Sequence, residues 1–176
     1  MEYITTRAFG LTIGFLLPGL AGLFALSNWI PKLQEIFQAL INKPWNLGLF
    51  FLIMLGSLII GLQISIIRWL LFEQWWLKSQ KIESAEFSGM SDENRLIAFR
   101  ASVDEHYRYH QFYGGIFVVI PILFIGWWQH PLPNLTDTSK AFFVVLFLCI
   151  LIITFYAAKD AYIKTIERGK SILSGG

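Results

Sequence analysis

Four stretches of this chain carry no Asp, Glu, Lys or Arg over lengths that a water-exposed fold seldom tolerates. They are the 24 residues between Arg7 and Lys32, the 24 between Lys43 and Arg68, the 28 between Arg108 and Asp137, and the 18 between Lys140 and Lys159. At a rise of about 1.5 Å per residue, each can cross a hydrocarbon core of about 30 Å once tilt and interfacial flanks are allowed for. None shows the alternating polar face of a barrel strand, so in lipid the backbone must satisfy itself within a helix. The sequence therefore predicts an all-α fold, a four-helix transmembrane bundle with spans at 8–30, 47–71, 113–128 and 141–158, in one integral membrane domain covering residues 1–176.

Composition agrees. The chain is 55% hydrophobic and only 15% charged, an apolar excess that a solvated surface of 176 residues could not absorb. The first span is expected to be retained rather than cleaved as a signal peptide: its apolar stretch is long, contains Pro18 and lacks a small-x-small cleavage site. Formal net charge is +2, too small and dispersed for a nucleic-acid surface or a polybasic lipid anchor. The single cysteine, Cys149, lies in an apolar run, which excludes a disulfide framework within the chain and suggests no thiol chemistry.

Orientation follows from the basic residues. Arg7, Arg68, Lys78, Lys81, Arg95, Arg100, Arg108, Lys159, Lys164, Arg168 and Lys170 would face one side, against Lys32, Lys43 and Lys140 on the other, a bias of 11 to 3. The positive-inside rule then places both termini and the central loop in the cytoplasm of a multi-pass inner (plasma) membrane protein. All seven tryptophans fall near span ends, where amphipathic rings sit at headgroup level. Between the first two spans, the stretch from Pro31 to Trp45 reads as a short amphipathic element with Leu33, Ile36, Phe37 and Leu40 on one face.

Small residues suggest how the helices meet. Gly14, Gly19 and Gly22 in the first span, and Gly56 and Gly61 in the second, would let backbones approach closely, which drives helix association in lipid. A close-packed, homo-oligomeric assembly is expected. No carboxylate, Lys or Arg falls at mid-membrane depth, which argues against a proton-coupled transporter. No phosphate-binding loop, dinucleotide fingerprint or zinc-protease motif is present, so no cofactor is expected.

The remaining chemistry lies in residues 73–112, read as a cytoplasmic loop followed by a helix. Ser91, Asp92 and Glu93 mark a helix start, and Leu96, Phe99, Val103, Tyr107 and His110 continue at helical spacing into the third span. One long helix projecting into the cytoplasm follows, with 91–112 available to a cytoplasmic protein partner.

Three readings of its end compete. His106 and His110, four apart on one face, could hold a metal if Glu105 or Gln111 of a neighbouring copy completed the shell. Arg100 and His106, with five residues between them, resemble the Arg-to-His signature of HEPN ribonucleases, and that resemblance implies a catalytic pair acting across a dimer. On a continuous helix, however, residues six apart lie roughly 120° apart, while Arg100, Asp104 and Arg108 fall at ion-pairing spacing. The third reading is structural. Tyr107, Tyr109, Phe112 and Tyr113 form a headgroup girdle, Arg108 snorkels to phosphate, and the histidines bond between helices. On it, Tyr107, Arg108, Tyr109, His110 and Tyr113 are interaction residues rather than a catalytic or metal site.

The stretch from Glu105 to Tyr113, together with the run from Gly14 to Gly19, resembles small uncharacterised bacterial four-span membrane proteins. In size and layout the chain is also similar to membrane components of bacterial antiphage systems. That resemblance implies a homo-oligomer that forms a pore or perturbs the membrane in defence. The alternatives from other classes are the membrane-anchored enzyme just described and a structural subunit of a membrane complex.

Overall fold

The computed structural model describes residues 10, 12–42, 46–77, 93–129 and 136–174, with backbone alone at 93–96, 98, 100–105 and 173–174. Much of the expected loop, residues 78–92, lies outside the described residues, as do the side chains of Arg100, Asp104 and Glu105. Among the described residues every element is helical. They are a π-helical turn Thr12–Leu16 running into α1 (Leu17–Ser27), then α2 (Pro31–Asn42), α3 (Leu47–Arg68) continued by a π-helical stretch Trp69–Trp76, α4 (Glu93–Gln129) and α5 (Asp137–Ser174).

Local sequence sets these boundaries. Pro18 falls in the first turn of α1, where its missing N–H costs least, and the wide turn before it gives the ring room. Asn46 caps α3 by accepting from the Leu49 N–H at 3.2 Å, and Thr136 Oγ1 accepts from Ser139 N–H at 3.3 Å to start α5. Pro121 sits inside α4 without ending it, as neighbouring helices allow in an apolar bundle.

Three helical stretches are long and apolar enough to cross a membrane: Leu47–Trp76, His106–Gln129 and Asp137–Ile172. A fourth is reached only if Thr12–Ser27 and Pro31–Asn42, bent by 116° at the break between them, count as one span. Here the structure differs from the expected 8–30. The helix stops at Ser27, where the Ser27 and Asn28 side chains turn back onto the Phe24 and Ala25 carbonyls, and α2 leaves at a steep angle. Residues 31–42 are helical as the amphipathic pattern indicates. The last helix runs well past the expected end at 158, and α4 and α5, of 37 and 38 residues, measure about 55 Å, nearly twice a hydrocarbon core.

The helices alternate in direction. Gly10 lies against Arg108, Gly14 against Gln111, Pro18 against Gly115 and Gly126 against Asn28, so α1 and α4 run parallel. In contrast, α4 and α5 are antiparallel, with Trp127 against Phe143, Phe124 against Phe147 and Phe117 against Phe155. The tightest crossing joins α1 to α3. A Cβ on Gly19 would strike the Ser57 carbonyl, and one on Gly61 would strike the Phe15 carbonyl, so only hydrogen fits at either point. Gly22 faces Ile64 and Ile60, and Gly14 faces the Gln111 side chain. Gly56 lies against Leu23 of α1 at an ordinary 3.5 Å, a looser contact than those of the other four.

Two apolar clusters fill the interior. Ala25, Ile64, Val118 and Val119 pack between α1, α3 and α4, and Phe72, Leu77, Ala158 and Tyr162 between the π-helical stretch and α5. The exterior is apolar as well. Phe142 is 63% exposed and Ile153 64%, with Phe24, Leu52, Leu55 and Leu148 also outward. So large an apolar surface on a helical chain matches a lipid surround.

Candidate functional site

At one end of the bundle the last turn of α3, its π-helical continuation, α4 and α5 converge on a buried polar cluster. Its centre is Glu73. The Arg68 Nη1 donates to Glu73 Oε1 at 2.8 Å, the Tyr107 hydroxyl donates to the same oxygen at 3.1 Å, and His110 Nε2 stands 3.6 Å from it. Arg68, Glu73 and His110 side chains are 3%, 13% and 0% exposed, so the charges are almost wholly removed from solvent.

The backbone brings Arg68 and Glu73 together. On an α-helix, residues five apart lie roughly 140° around the axis, and these two would diverge. From Trp69 to Trp76 the chain is wound as a π-helix instead, with the Leu77 N–H reaching back five residues to the Phe72 carbonyl at 2.8 Å. That wider winding brings residues five apart nearer to one another on the helix surface than an α-helix does. Space for the arginine stem comes from Gly114, where a Cβ would lie 2.8 Å from Arg68 Cγ and Cδ.

His110 ties the cluster to α5. Its Nδ1 lies 2.8 Å from the Ala158 carbonyl oxygen, which can only accept, so Nδ1 carries a proton and donates it there. That leaves Nε2 facing Glu73 with no hydrogen-bond partner; Arg68 Nε is likewise buried without one. The Arg68 guanidinium carbon also lies 5.6 Å from the centre of the Tyr107 ring. The Tyr162 ring lies 5.0 Å from that of His110, and Phe72, fully buried, meets His110 edge-on at 5.6 Å. Phe72, Trp76, Phe117 and Phe155 then close the apolar side.

Such an arrangement makes each helix depend on the others. Two donors, Arg68 from α3 and Tyr107 from α4, converge on one carboxylate oxygen in a low-dielectric surround, where an unpaired charge is very costly. Among the described residues, no group of three His, Cys, Asp or Glu could hold a metal ion.

The sequence reading had singled out part of this cluster. Tyr107 and His110 belong to it, and the interhelical bond expected of the histidines is the one from His110 to Ala158. Tyr113 packs at its edge against the Phe72 cluster. Arg108 lies instead against Gly10 of the first helical turn, and Tyr109 points outward, 43% exposed. His106, one turn before His110, also faces α5: its Nδ1 lies 3.4 Å from Arg168 Nη1, a cationic neighbour poorly suited to a metal ligand. Arg100 sits on the same unbroken helix as His106, six residues earlier, so within one chain the two occupy different faces, roughly 120° apart.

Arg68 and Glu73 were missed, read as a span flank and the start of a polar loop. One signal was present. Both lie within an apolar run that continues through Trp69, Leu70, Leu71 and Phe72 to Trp75 and Trp76, and a charge so flanked calls for an opposite charge nearby.

Comparison with protein families, curated proteins and solved structures finds no match to this chain.

Proposed function

We propose that this is a multi-pass inner-membrane protein that assembles with copies of itself and controls membrane permeability, with the cluster around Glu73 as its latch. The observation that carries the reading is the Arg68–Glu73 pair, buried and joined through Tyr107 and His110 to the other long helices. A buried ion pair contributes little net stability when intact, but losing one partner leaves an uncompensated charge that drives the helices apart. A cluster of that kind has two states, closed and released, and release at the end of a lipid-embedded bundle opens a path for water and ions.

Charge supports the orientation. The cluster end of the described bundle carries Arg68, Arg108, Lys159, Lys164, Arg168 and Lys170, while Lys32 and Lys140 lie at the other. That end faces the cytoplasm in this reading, with both termini, and the part of α4 before His106 offers the surface for a cytoplasmic partner that trips the latch. The α1–α2 pair counts as the first of four spans, with α2 lying along the opposite membrane face. A role as effector or accessory of a bacterial defence system fits a protein that stays closed until triggered.

The test is ion leakage from liposomes containing the purified protein, with membrane potential followed in expressing cells. Glu73→Gln and Arg68→Gln are expected to raise leakage at least several-fold over the unaltered protein at equal incorporation. If both variants insert and fold yet leave the bilayer as tight as before, the permeability reading is wrong.

A further inference from the structure

One polar side chain in the spans has no place in the internal fold. Gln63 lies near the middle of the apolar stretch Leu47–Trp76, is exposed, and makes no hydrogen bond among the described residues. Three span hydroxyls are satisfied within their own helices: Thr154 donates to the Ile150 carbonyl at 2.8 Å, Thr165 to the Ala161 carbonyl at 2.8 Å, and Ser27 to the Phe24 carbonyl at 2.6 Å, while the unpaired Ser57 hydroxyl is enclosed in the bundle. A glutamine carboxamide has two donors and an acceptor oxygen and cannot be satisfied by hydrocarbon, so leaving it bare in lipid is costly.

Its surroundings are consistent with burial by something. Ile59 and Ile67, one turn to either side, are exposed. Two turns back, at the border between this face and α1, Gly56 lies against Leu23 at an ordinary 3.5 Å. The face is turned away from Ser57, Gly61, Ile64 and Arg68, which α3 presents to its own bundle.

We infer that this face of α3 docks against the same face of a second copy, with the two Gln63 carboxamides hydrogen-bonded to each other across a two-fold axis. The chemistry selects the partner. A two-fold contact brings each residue on the axis against its own counterpart, and a carboxamide is its own complement: each N–H donates to the other's C=O. A cation or carboxylate on a foreign helix would match only half of the amide. The exposed Ile59 and Ile67 of the two α3 helices interlock on either side of the pair. This inference specifies the self-assembly in the proposed function and rests on it for the membrane setting, but not for permeability.

Cross-linking in membranes tests it, in a Cys149→Ser background because Cys149 is exposed and would cross-link by itself. Gln63→Cys should give oxidised dimer in several-fold greater yield than Leu58→Cys, which is exposed on another side of α3. Without cysteines, Gln63→Leu should weaken dimerisation in liposomes about fivefold, and Gln63→Asn, which keeps the amide, should weaken it less. A leucine at this position suits lipid, so folding is kept. Equal yields at 63 and 58, a Gln63→Leu protein that dimerises as before, or a Gln63→Cys adduct formed only with a different protein in cells would each overturn the pairing. Dimers that form without any leakage would leave the pairing intact and remove the permeability reading instead.

Discussion

Arg68 reaches Glu73 at 2.8 Å across five residues of chain, a contact that an α-helix would forbid and a π-helical stretch permits. With both side chains almost fully buried, Glu73→Ala should destabilise the folded protein by about 3–5 kcal/mol by stranding the arginine. An Arg68→Met, Glu73→Leu double variant should recover most of that loss, since neither charge then needs a partner. Unfolding in mixed micelles over a denaturant series checks the pair, and a double variant as unstable as the single one would show that the ion pair is not the source.

The same carboxylate distinguishes two tyrosines. Tyr107 donates its hydroxyl to Glu73 at 3.1 Å, whereas the contact of Tyr162 with the cluster is that of its ring with His110. Tyr107→Phe should therefore cost about 1.5–3 kcal/mol, the range for a hydrogen bond to a charged group, and Tyr162→Phe less than about 0.5 kcal/mol. Equal losses from the two substitutions would contradict the assignment of the hydroxyl.

His110 offers a test of tautomer. Because Nδ1 donates to the Ala158 carbonyl at 2.8 Å, an asparagine, whose amide nitrogen overlays Nδ1, should be tolerated better than a glutamine, whose nitrogen overlays Nε2. A gap of about 1 kcal/mol in unfolding free energy is expected, set by one hydrogen bond. Nitrogen-15 NMR of labelled histidine should show Nδ1 protonated in the resting protein; a proton on Nε2 alone would reverse the donor assignment.

Glycine substitutions separate tight crossings from open ones. Gly19→Ala and Gly61→Ala push a methyl into backbone atoms that cannot yield, and each should cost about 1–3 kcal/mol or prevent folding. Gly56→Ala has room and gains helix propensity, so the monomer should change by no more than about 1 kcal/mol, in the stabilising direction. Thermal melts in one detergent at low protein concentration would compare all three, and a Gly56→Ala loss matching that of Gly19→Ala would contradict the packing described.

Much of the architecture was legible in the sequence because burial in lipid depends on long uncharged runs, which any reader can count. The helix through 47–71 and those through 113–128 and 141–158 follow from that rule alone. Where the first helix would stop did not, because Asn28, Trp29 and Ile30 are compatible with an apolar span, and only side-chain bonds back to the Phe24 and Ala25 carbonyls mark the turn. Half the candidate site was similarly hidden. Tyr107 and His110 stood out as functional groups on a helix, but Arg68 and Glu73 diverge at 3.6 residues per turn, and a periodicity argument cannot foresee a local change of pitch. Gly19, Gly61 and Gly56 were all recognised as packing residues, but spacing alone does not tell that the first two meet backbone and the third only the Leu23 side chain.

The contact of α1 with α3 at Gly19 and Gly61 has a mechanical meaning. Two helices whose main chains touch cannot slip along one another or roll without first separating, so they travel as a single strut. Any motion that loosens the Glu73 cluster must be taken up by the two long helices or by the widened coils at 69–76, with the crossed pair as the fixed post from which they swing.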